Sequence, residues 1–283
     1  MARLFVVATP IGNLEDLTPR ARRVLGKVTL IAAEDTRSAR VLLGGRSGGA
    51  RLISYNEHNR DQRIPDILAY LETGDVALIS DAGTPAISDP GTELVAAARA
   101  AGHEVVALPG ASAPIAALSV AGLRARSFLF LGFLPRSQGP LRRLFEERSH
   151  GADALVAFES PARLRRTLAV LAAVLPERRL AVCRELTKLH EEVFVGTAAA
   201  ALAHFPAPRG EIVLVIEGAP AEPPAAADEA ALQEEVAAMR ALGLSQRQAA
   251  ALLGRRFKLP RRRLYGLWLA AAPPAQPAQP ADA

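Results

Sequence analysis

The segment Val76–Gly91, VALISDAGTPAISDPG, decides how the chain is read. It opens with the apolar run VALIS. It breaks at Asp81-Ala82-Gly83-Thr84-Pro85 and again at Ser88-Asp89-Pro90-Gly91. A short apolar run followed by two Gly/Pro turns predicts a buried strand running into a loop. Gly83 and Gly91 can expose backbone N–H groups and accept positive φ, while Pro85 and Pro90 stiffen the chain. Asp81 and Asp89 place carboxylates at the two ends. This is the pattern of a ligand loop, with a purely structural double turn as the competing reading.

The same unit recurs on both sides. Upstream, LFVVA (4–8) runs into Thr9-Pro10-Ile11-Gly12-Asn13, VTLIAA into Glu34-Asp35-Thr36-Arg37, and RLISY into Asn56-Glu57-His58-Asn59. Downstream, Glu104–Leu108 runs into Pro109-Gly110-Ala111-Ser112. Helices are expected between these strands, the first with Thr18 as its N-cap and Pro19 in its first turn. Alternating strands and helices predict a mostly parallel α/β sheet covered on both faces. All five polar or Gly-rich tips then fall on one edge, where ligands of such sheets bind. After Gly122–Ser127 a second α/β unit begins with FLFLGFLP and continues through ALVAFES, RLAVCREL and IVLVIEG, with Glu192-Val193-Phe194 a candidate edge strand. The expected organisation is an N-terminal α/β domain (1–122), a second α/β domain (123–218), a Pro/Ala-rich linker (219–228), a basic helical region (229–270) and a disordered tail (271–283).

Composition narrows the function. The 283 residues, half of them apolar, suffice for two cores. The single cysteine, Cys183, excludes a disulfide framework, and the five histidines are scattered, so no metal site is read. No run of about 18 apolar residues is present, and MARLFVVATP is too quickly interrupted for a signal peptide, so no membrane span is expected and the cytoplasm is the default location. The net charge is +5 and unevenly placed. Between Leu244 and Tyr265 stand Arg247, Arg255, Arg256, Lys258, Arg261, Arg262 and Arg263, with no acid. That field favours a polyanion, and a merely solvated basic face is the alternative. GxGxxG, P-loop, HExxH and GxSxG patterns are all absent, which argues against the commonest phosphate-anchored and hydrolytic sites.

Taken together, the tips resemble the tetrapyrrole-methylase fold family, and within it the branch that methylates small-subunit ribosomal RNA on a ribose 2′-hydroxyl. The matching segments are VATPIGNLEDLTPRA (7–21), IAAEDTR (31–37), YNEHN (55–59), ALISDAGTPAISDPG (77–91), VVALPGASAPIAALS (105–119), FLGFLP (130–135), FESPARL (158–164), RELTKLHEEV (184–193) and RGEIVLVIEG (209–218). The resemblance implies two consecutive α/β domains with S-adenosyl-L-methionine in a cleft between them, plus a small C-terminal helical region, and a homodimer. It implies as substrate a cytidine in the decoding region of 16S rRNA, presented in the small ribosomal subunit. Carried over residue by residue, the cofactor contacts fall on Pro10, Gly12, Ser80, Asp81, Ala82, Gly83, Thr84, Pro85, Ser88, Pro109, Gly110, Ala111, Ser112 and Leu131. Backbone amides around Gly83 suit the methionine carboxylate, and Leu108 and Leu131 the adenine.

A neutral ribose hydroxyl is a poor nucleophile and gains from a base. Asp35, His58, Asp81 and Glu159 are the candidates, and the sequence does not choose among them. Lys188 joins this catalytic group, and with Arg37, Arg163 and Arg184 it is expected to steer RNA phosphates. The chain departs from the branch at Arg124, where proline is usual, and at Ala162, where histidine is usual, so no histidine base is available there. A porphyrinogen or corrin methylase of the same fold is one alternative. A non-catalytic RNA-binding or ribosome-assembly protein is the other.

Overall fold

The computed structural model describes residues 2–44, 49–220, 229–257 and 261–270. They fall into two compact units, Met1–Ala219 and Pro220–Ala283. The first unit contains both sheets.

The first sheet is parallel throughout. Its strands are β1 (Arg3–Val7), β2 (Leu30–Ala33), β3 (Arg51–Ser54), β4 (Val76–Ile79) and β5 (Glu104–Leu108), in the order β3-β2-β4-β1-β5. Helices α1 (Pro19–Leu25), α2 (Thr36–Leu43), α3 (Arg60–Leu71) and α4 (Thr92–Ala100) make the crossovers, and α5 (Ala113–Val120) follows β5. Successive strand residues face opposite sides. Leu4, Leu30, Ala32, Val76 and Leu78 therefore enter one core with Ile67, Leu71 and Leu94. Phe5, Val7, Ile31, Ala33, Ala77 and Ile79 enter the other with Ala21 and Leu25. Burial on both faces is why these strands read as continuous apolar runs. The first helix starts as its sequence predicts: Thr18 is extended, its Oγ1 accepts the Ala21 N–H at 3.1 Å, and Pro19 follows it.

The second sheet contains β6 (Phe128–Phe133), β7 (Ala154–Glu159), β8 (Arg179–Arg184), β9 (Glu192–Thr197) and β10 (Ile212–Ile216), in the order β6-β7-β10-β8-β9. Glu192-Val193-Phe194 does open an edge strand. Only β6 and β7 run parallel; β10 is antiparallel to both β7 and β8, and β8 to β9. Apolar runs carry no strand direction, so the mixed topology was not readable from sequence. Helices α6 (Gln138–Glu147), α7 (Pro161–Val174) and α8 (Ala198–His204) cover one face, burying Leu155, Leu180, Val182 and Leu214 under Phe145, Leu168 and Ala201. On the other face, Val156, Ala181, Cys183, Val213 and Val215 pack against Ala117 of α5, Ala121 just after it, and Ile11 from the tip of β1. This contact joins the two sheets.

The second unit is helical: α9 (Glu229–Ala241), α10 (Gln246–Phe257) and α11 (Arg261–Ala270). Leu232, Val236, Leu253, Leu264 and Leu267 form its core. Ser245 and Gln248 cap α10 reciprocally: the Ser245 N–H donates to Gln248 Oε1 at 2.9 Å, and Ser245 Oγ accepts the Gln248 N–H at 3.4 Å. Arg247, Arg262 and Arg263 are exposed. Lys258, the side chains of Arg255, Arg256 and Arg261, residues 221–228 of the expected linker and the tail 271–283 lie outside the described residues. Among the described residues no helix is long and apolar enough to cross a membrane, and no cluster of metal-ligating side chains occurs.

Replacing Thr18 by alanine removes the only side-chain acceptor at the start of α1. Chemical denaturation should show a loss of about 1 kcal/mol, with the fold retained.

Candidate functional site

The tips of β1, β2, β4 and β5 meet at the carboxyl edge of the first sheet. Thr9 and Gly83 form an isolated antiparallel bridge, with Thr9 N–H to Gly83 O at 2.8 Å and Gly83 N–H to Thr9 O at 3.0 Å. Gly83 has φ +78°, which a residue with a Cβ adopts only under strain. Thr84 Oγ1 donates to Ala111 O at 3.3 Å, tying the β4 tip to the β5 tip. The Asp35 N–H donates to Asp81 Oδ1 at 3.2 Å and the Asp81 N–H to Glu34 Oε2 at 3.3 Å, tying it to the β2 tip.

Two cavities flank the Asp81-Ala82 segment. The first, of about 380 Å³, opens between the sheets. Its apolar wall includes Phe133, Phe158, Leu186, Ile212 and Val213, and the Phe133 and Phe158 rings are 5.4 Å apart. It is lined by five carboxylate residues, Glu34, Asp81, Asp89, Glu159 and Glu211, and by no lysine or arginine. The first residues of α5 and α7 also border it, through Ser112-Ala113 and Ser160-Pro161. The second cavity, of about 330 Å³, lies between the tips of β1 and β4, helix α2 and Lys188. Ile11, Asp81, Ala82 and Glu211 line both.

Electrostatics separates the carboxylates. Burial and then the charge of Glu34 push the Asp89 carboxyl up to about 6, against a hydrogen bond from Ser80. Burial raises Glu34 as well, with the like charges of Asp81, Glu57 and Asp35 adding to it. Asp35 goes the other way: hydrogen bonds from the Arg37 side chain and N–H bring it down to about 2. Cys183 also borders the first cavity, and burial pushes its thiol up to about 12, so it is an inert core thiol.

The predicted site residues sort by place. Asp81, Ala82, Gly83, Thr84, Ser112 and Glu159 line the first cavity. Pro10, Gly12, Ser80 and Lys188 line the second, as do Asp81 and Ala82. Gly12 is required by packing: a Cβ there would stand 2.7 Å from Thr187 Oγ1 and overlap the Lys188 side chain. Pro85, Ser88, Pro109, Gly110, Ala111 and Leu131 line neither cavity. Ala111 and Gly110 support the tips instead, Gly110 closing over Ala8. Leu108 belongs to a core of the first sheet, and Leu131 packs against the core of the second, because alternation turns both away from the cleft.

The candidate bases differ sharply. His58 sits in the turn after edge strand β3 and lines neither cavity. Asp35 is N-cap of α2 and ion-paired with Arg37 at 2.6 Å. Glu159 is buried and fully engaged: Oε1 takes Arg163 Nη2 and the Ser160 N–H, both at 2.7 Å, and Oε2 takes Thr167 Oγ1 at 2.6 Å. Asp81 is exposed and has a carboxylate oxygen, Oδ2, with no hydrogen bond among the described residues.

The expected phosphate contacts are also committed within the first unit. Arg163 holds Glu159, Ser160 Oγ and Leu134 O. Arg184 pairs with Glu192 at 3.0 Å. Lys188 Nζ lies 3.0 Å from Glu185 and 3.1 Å from Glu211. Burial lowers its pKa, but the hydrogen bonds and charges of those two glutamates outweigh burial and hold it above the usual lysine value. Lys188 is thus a fixed cation and not a proton acceptor. Only Arg37 of this group is well exposed, at 86%. From sequence, Glu34 reads as part of a site shared by the strand tips, with a local ion pair to Arg37 as the alternative, and Asp89 equally as a catalytic carboxylate or an anchor of its own turn. Phe133 and Glu211 are not read as site residues, and Glu211 reaches the cleft only because β10 enters antiparallel.

Residues 3–202 match the family model described as tetrapyrrole (corrin/porphyrin) methylases. The chain is 46% identical over 273 residues to ribosomal RNA small subunit methyltransferase I of Synechocystis sp. PCC 6803, covering 95% of this chain and 98% of that one. It is 45% identical over 221 residues to the protein of that name from Thermotoga maritima, covering 77% and 99%. Among solved structures it is similar in fold to a diphthine synthase (TM-score 0.61, 15% identity, 77% and 90% covered). It is also similar to Thermus thermophilus uroporphyrin-III C-methyltransferase complexed with S-adenyl homocysteine (TM-score 0.53, 17% identity, 76% and 97% covered).

If Glu159 is an anchor, Glu159→Ala should strip Arg163 and Thr167 of their partner and lower stability by about 3–5 kcal/mol in urea titration. A catalytic base would instead leave stability near that of the unsubstituted protein.

Proposed function

The chain belongs to the tetrapyrrole (corrin/porphyrin) methylase family, and from that premise we propose that it methylates a ribose 2′-hydroxyl of 16S rRNA with S-adenosyl-L-methionine as donor. The observation that carries the reading is the first cavity: an apolar slot beside the Gly83 loop, lined by five carboxylates and no basic residue. The residues fit the cofactor. Phe133, Phe158 and Leu186 offer surface for a flat ring. The carboxylates favour its cationic groups, and the positive end of α5 favours its carboxylate. When bound, the cofactor supplies a methyl group activated by a positively charged sulfur. The chain's own task is to hold the acceptor in line, exclude water and take up one proton.

The target nucleotide, a cytidine of the decoding region in the small subunit, is part of this proposal, as are a homodimer and a cytoplasmic location. The exposed arginines of the helical unit would add salt-dependent, sequence-independent affinity for RNA phosphates.

Labelled methyl transfer should be measured in parallel to unmethylated small subunits, naked 16S rRNA and uroporphyrinogen. Label as a 2′-O-methyl on one cytidine of the subunit is expected; label on the tetrapyrrole alone would overturn the substrate. The pH dependence of cofactor binding supplies a second check. Asp89 is neutral below about 6 and anionic above it, facing Glu34 and Asp81. A cation binds the anionic form better, so calorimetry should show affinity rising severalfold from about pH 5 to about pH 7, with proton release on binding. Asp89→Asn should flatten that rise.

A further inference from the structure

The two cavities adjoin at Ile11, Asp81, Ala82 and Glu211 and differ in chemistry, so ligands in the two would approach each other at these residues. The first is a poor place for a polyanion, since no lysine or arginine lines it. The second has Lys188, held between Glu185 and Glu211, the exposed Ser38, and an open rim in which Leu14 is 53% and Val41 69% exposed. Arg37 and Arg40 project from α2, the helix that supplies Ser38, Ala39, Val41 and Leu42 to this lining, and both are exposed. An exposed hydroxyl, exposed apolar surface and nearby arginines together suit a nucleotide: a polar atom for the ribose, an apolar ledge for the base and cations for the phosphates.

Resting on the rRNA reading above, we propose that the second cavity is the acceptor site, taking one RNA nucleotide between α2 and Leu14 with its 2′-hydroxyl at Asp81, while the cofactor occupies the first cavity. Asp81 then becomes the proton acceptor. It is the only one of the four candidate bases that borders both cavities, and its Oδ2 is free of other hydrogen bonds among the described residues. Asp35, His58 and Glu159 fail on position or commitment. In the transfer, the hydroxyl oxygen forms the new O–CH₃ bond as the S–CH₃ bond breaks. The electron pair of that bond stays on sulfur, leaving a neutral thioether, and the hydroxyl proton goes to Asp81.

The test fills the second cavity without touching the first. Ser38 and Val41 are exposed on α2, so Ser38→Trp and Val41→Trp should fold, which circular dichroism and thermal melting verify. Both should bind S-adenosylmethionine in calorimetry within about twofold of the unsubstituted protein, yet transfer methyl to unmethylated small subunits at least tenfold more slowly. A photo-crosslinking residue at Val41 should attach to 16S rRNA next to the methylated nucleotide, and one at Phe133 should not. Asp81→Asn should lower kcat by roughly 10²-fold or more with cofactor binding retained. Normal transfer by both tryptophan variants would overturn the assignment, as would loss of cofactor binding in them. Absence of transfer to rRNA by the unsubstituted protein, with cofactor bound, would overturn the ribosomal substrate itself and this site with it. Transfer that is normal in the unsubstituted protein and in the tryptophan variants would overturn the acceptor site alone.

Discussion

The second sheet has two apolar faces and only one set of its own helices. Helices α6, α7 and α8 cover the first face. Val156, Ala181, Cys183, Val213 and Val215 remain on the other, and they are buried only because α5 and Ile11 of the first sheet lie against them. This burial is the constraint on which the rest depends. Removing such a face from water is worth about 25 cal/mol per Å², and it cannot be recovered any other way. Helix α5 can lie close because it presents Ala113, Ala116 and Ala117. The cleft opens where this cover ends, at the first residues of α5, and so falls on the tips of β1, β4 and β5.

Charge placement follows from the same packing. Acidic side chains gather around the first cavity from elements far apart in sequence, Glu34 after β2, Asp89 after β4, Glu159 at the end of β7 and Glu211 before β10. Each alone would be unremarked. Burial raises Glu34 and Asp89, the charge of Glu34 adds to it at Asp89, and Asp89 moves toward neutrality. Most basic residues near the cleft are meanwhile neutralised in ion pairs. Arg163 and Lys188 act as struts, holding Glu159 in one case and Glu185 and Glu211 in the other.

The loop between β8 and β9 shows what those struts hold. Glu185 and Thr187 have φ of +52° and +66°, conformations that cost residues with a Cβ on the order of 1–3 kcal/mol each. Glu185 is fixed there by the Glu211 N–H at 2.9 Å and by Lys188. The loop can also press against Gly12, where no Cβ intervenes. Leu186 thereby reaches the first cavity and Lys188 the second, so one strained turn furnishes both.

The sequence by itself determined the parallel first sheet, the capped start of α1, the helical C-terminal unit and the sheet edge at which the two cavities open. Those features depend on local patterns: apolar runs, Gly/Pro punctuation and caps act over a few residues. It also pointed to the Asp81–Thr84 loop, which lines the first cavity, because backbone conformations of that kind are written in glycine and proline. Tertiary structure alone decided which tip residues face a cavity. Leu131 and Leu108 turn into cores by strand alternation, His58 is stranded beyond an edge strand, and Glu159 is consumed by Arg163. It alone made the second sheet mixed, brought Glu211 to the cleft and divided the site at Asp81. Direction of pairing, commitment of a charge and shared walls arise from residues distant in sequence, and no local pattern encodes such pairings.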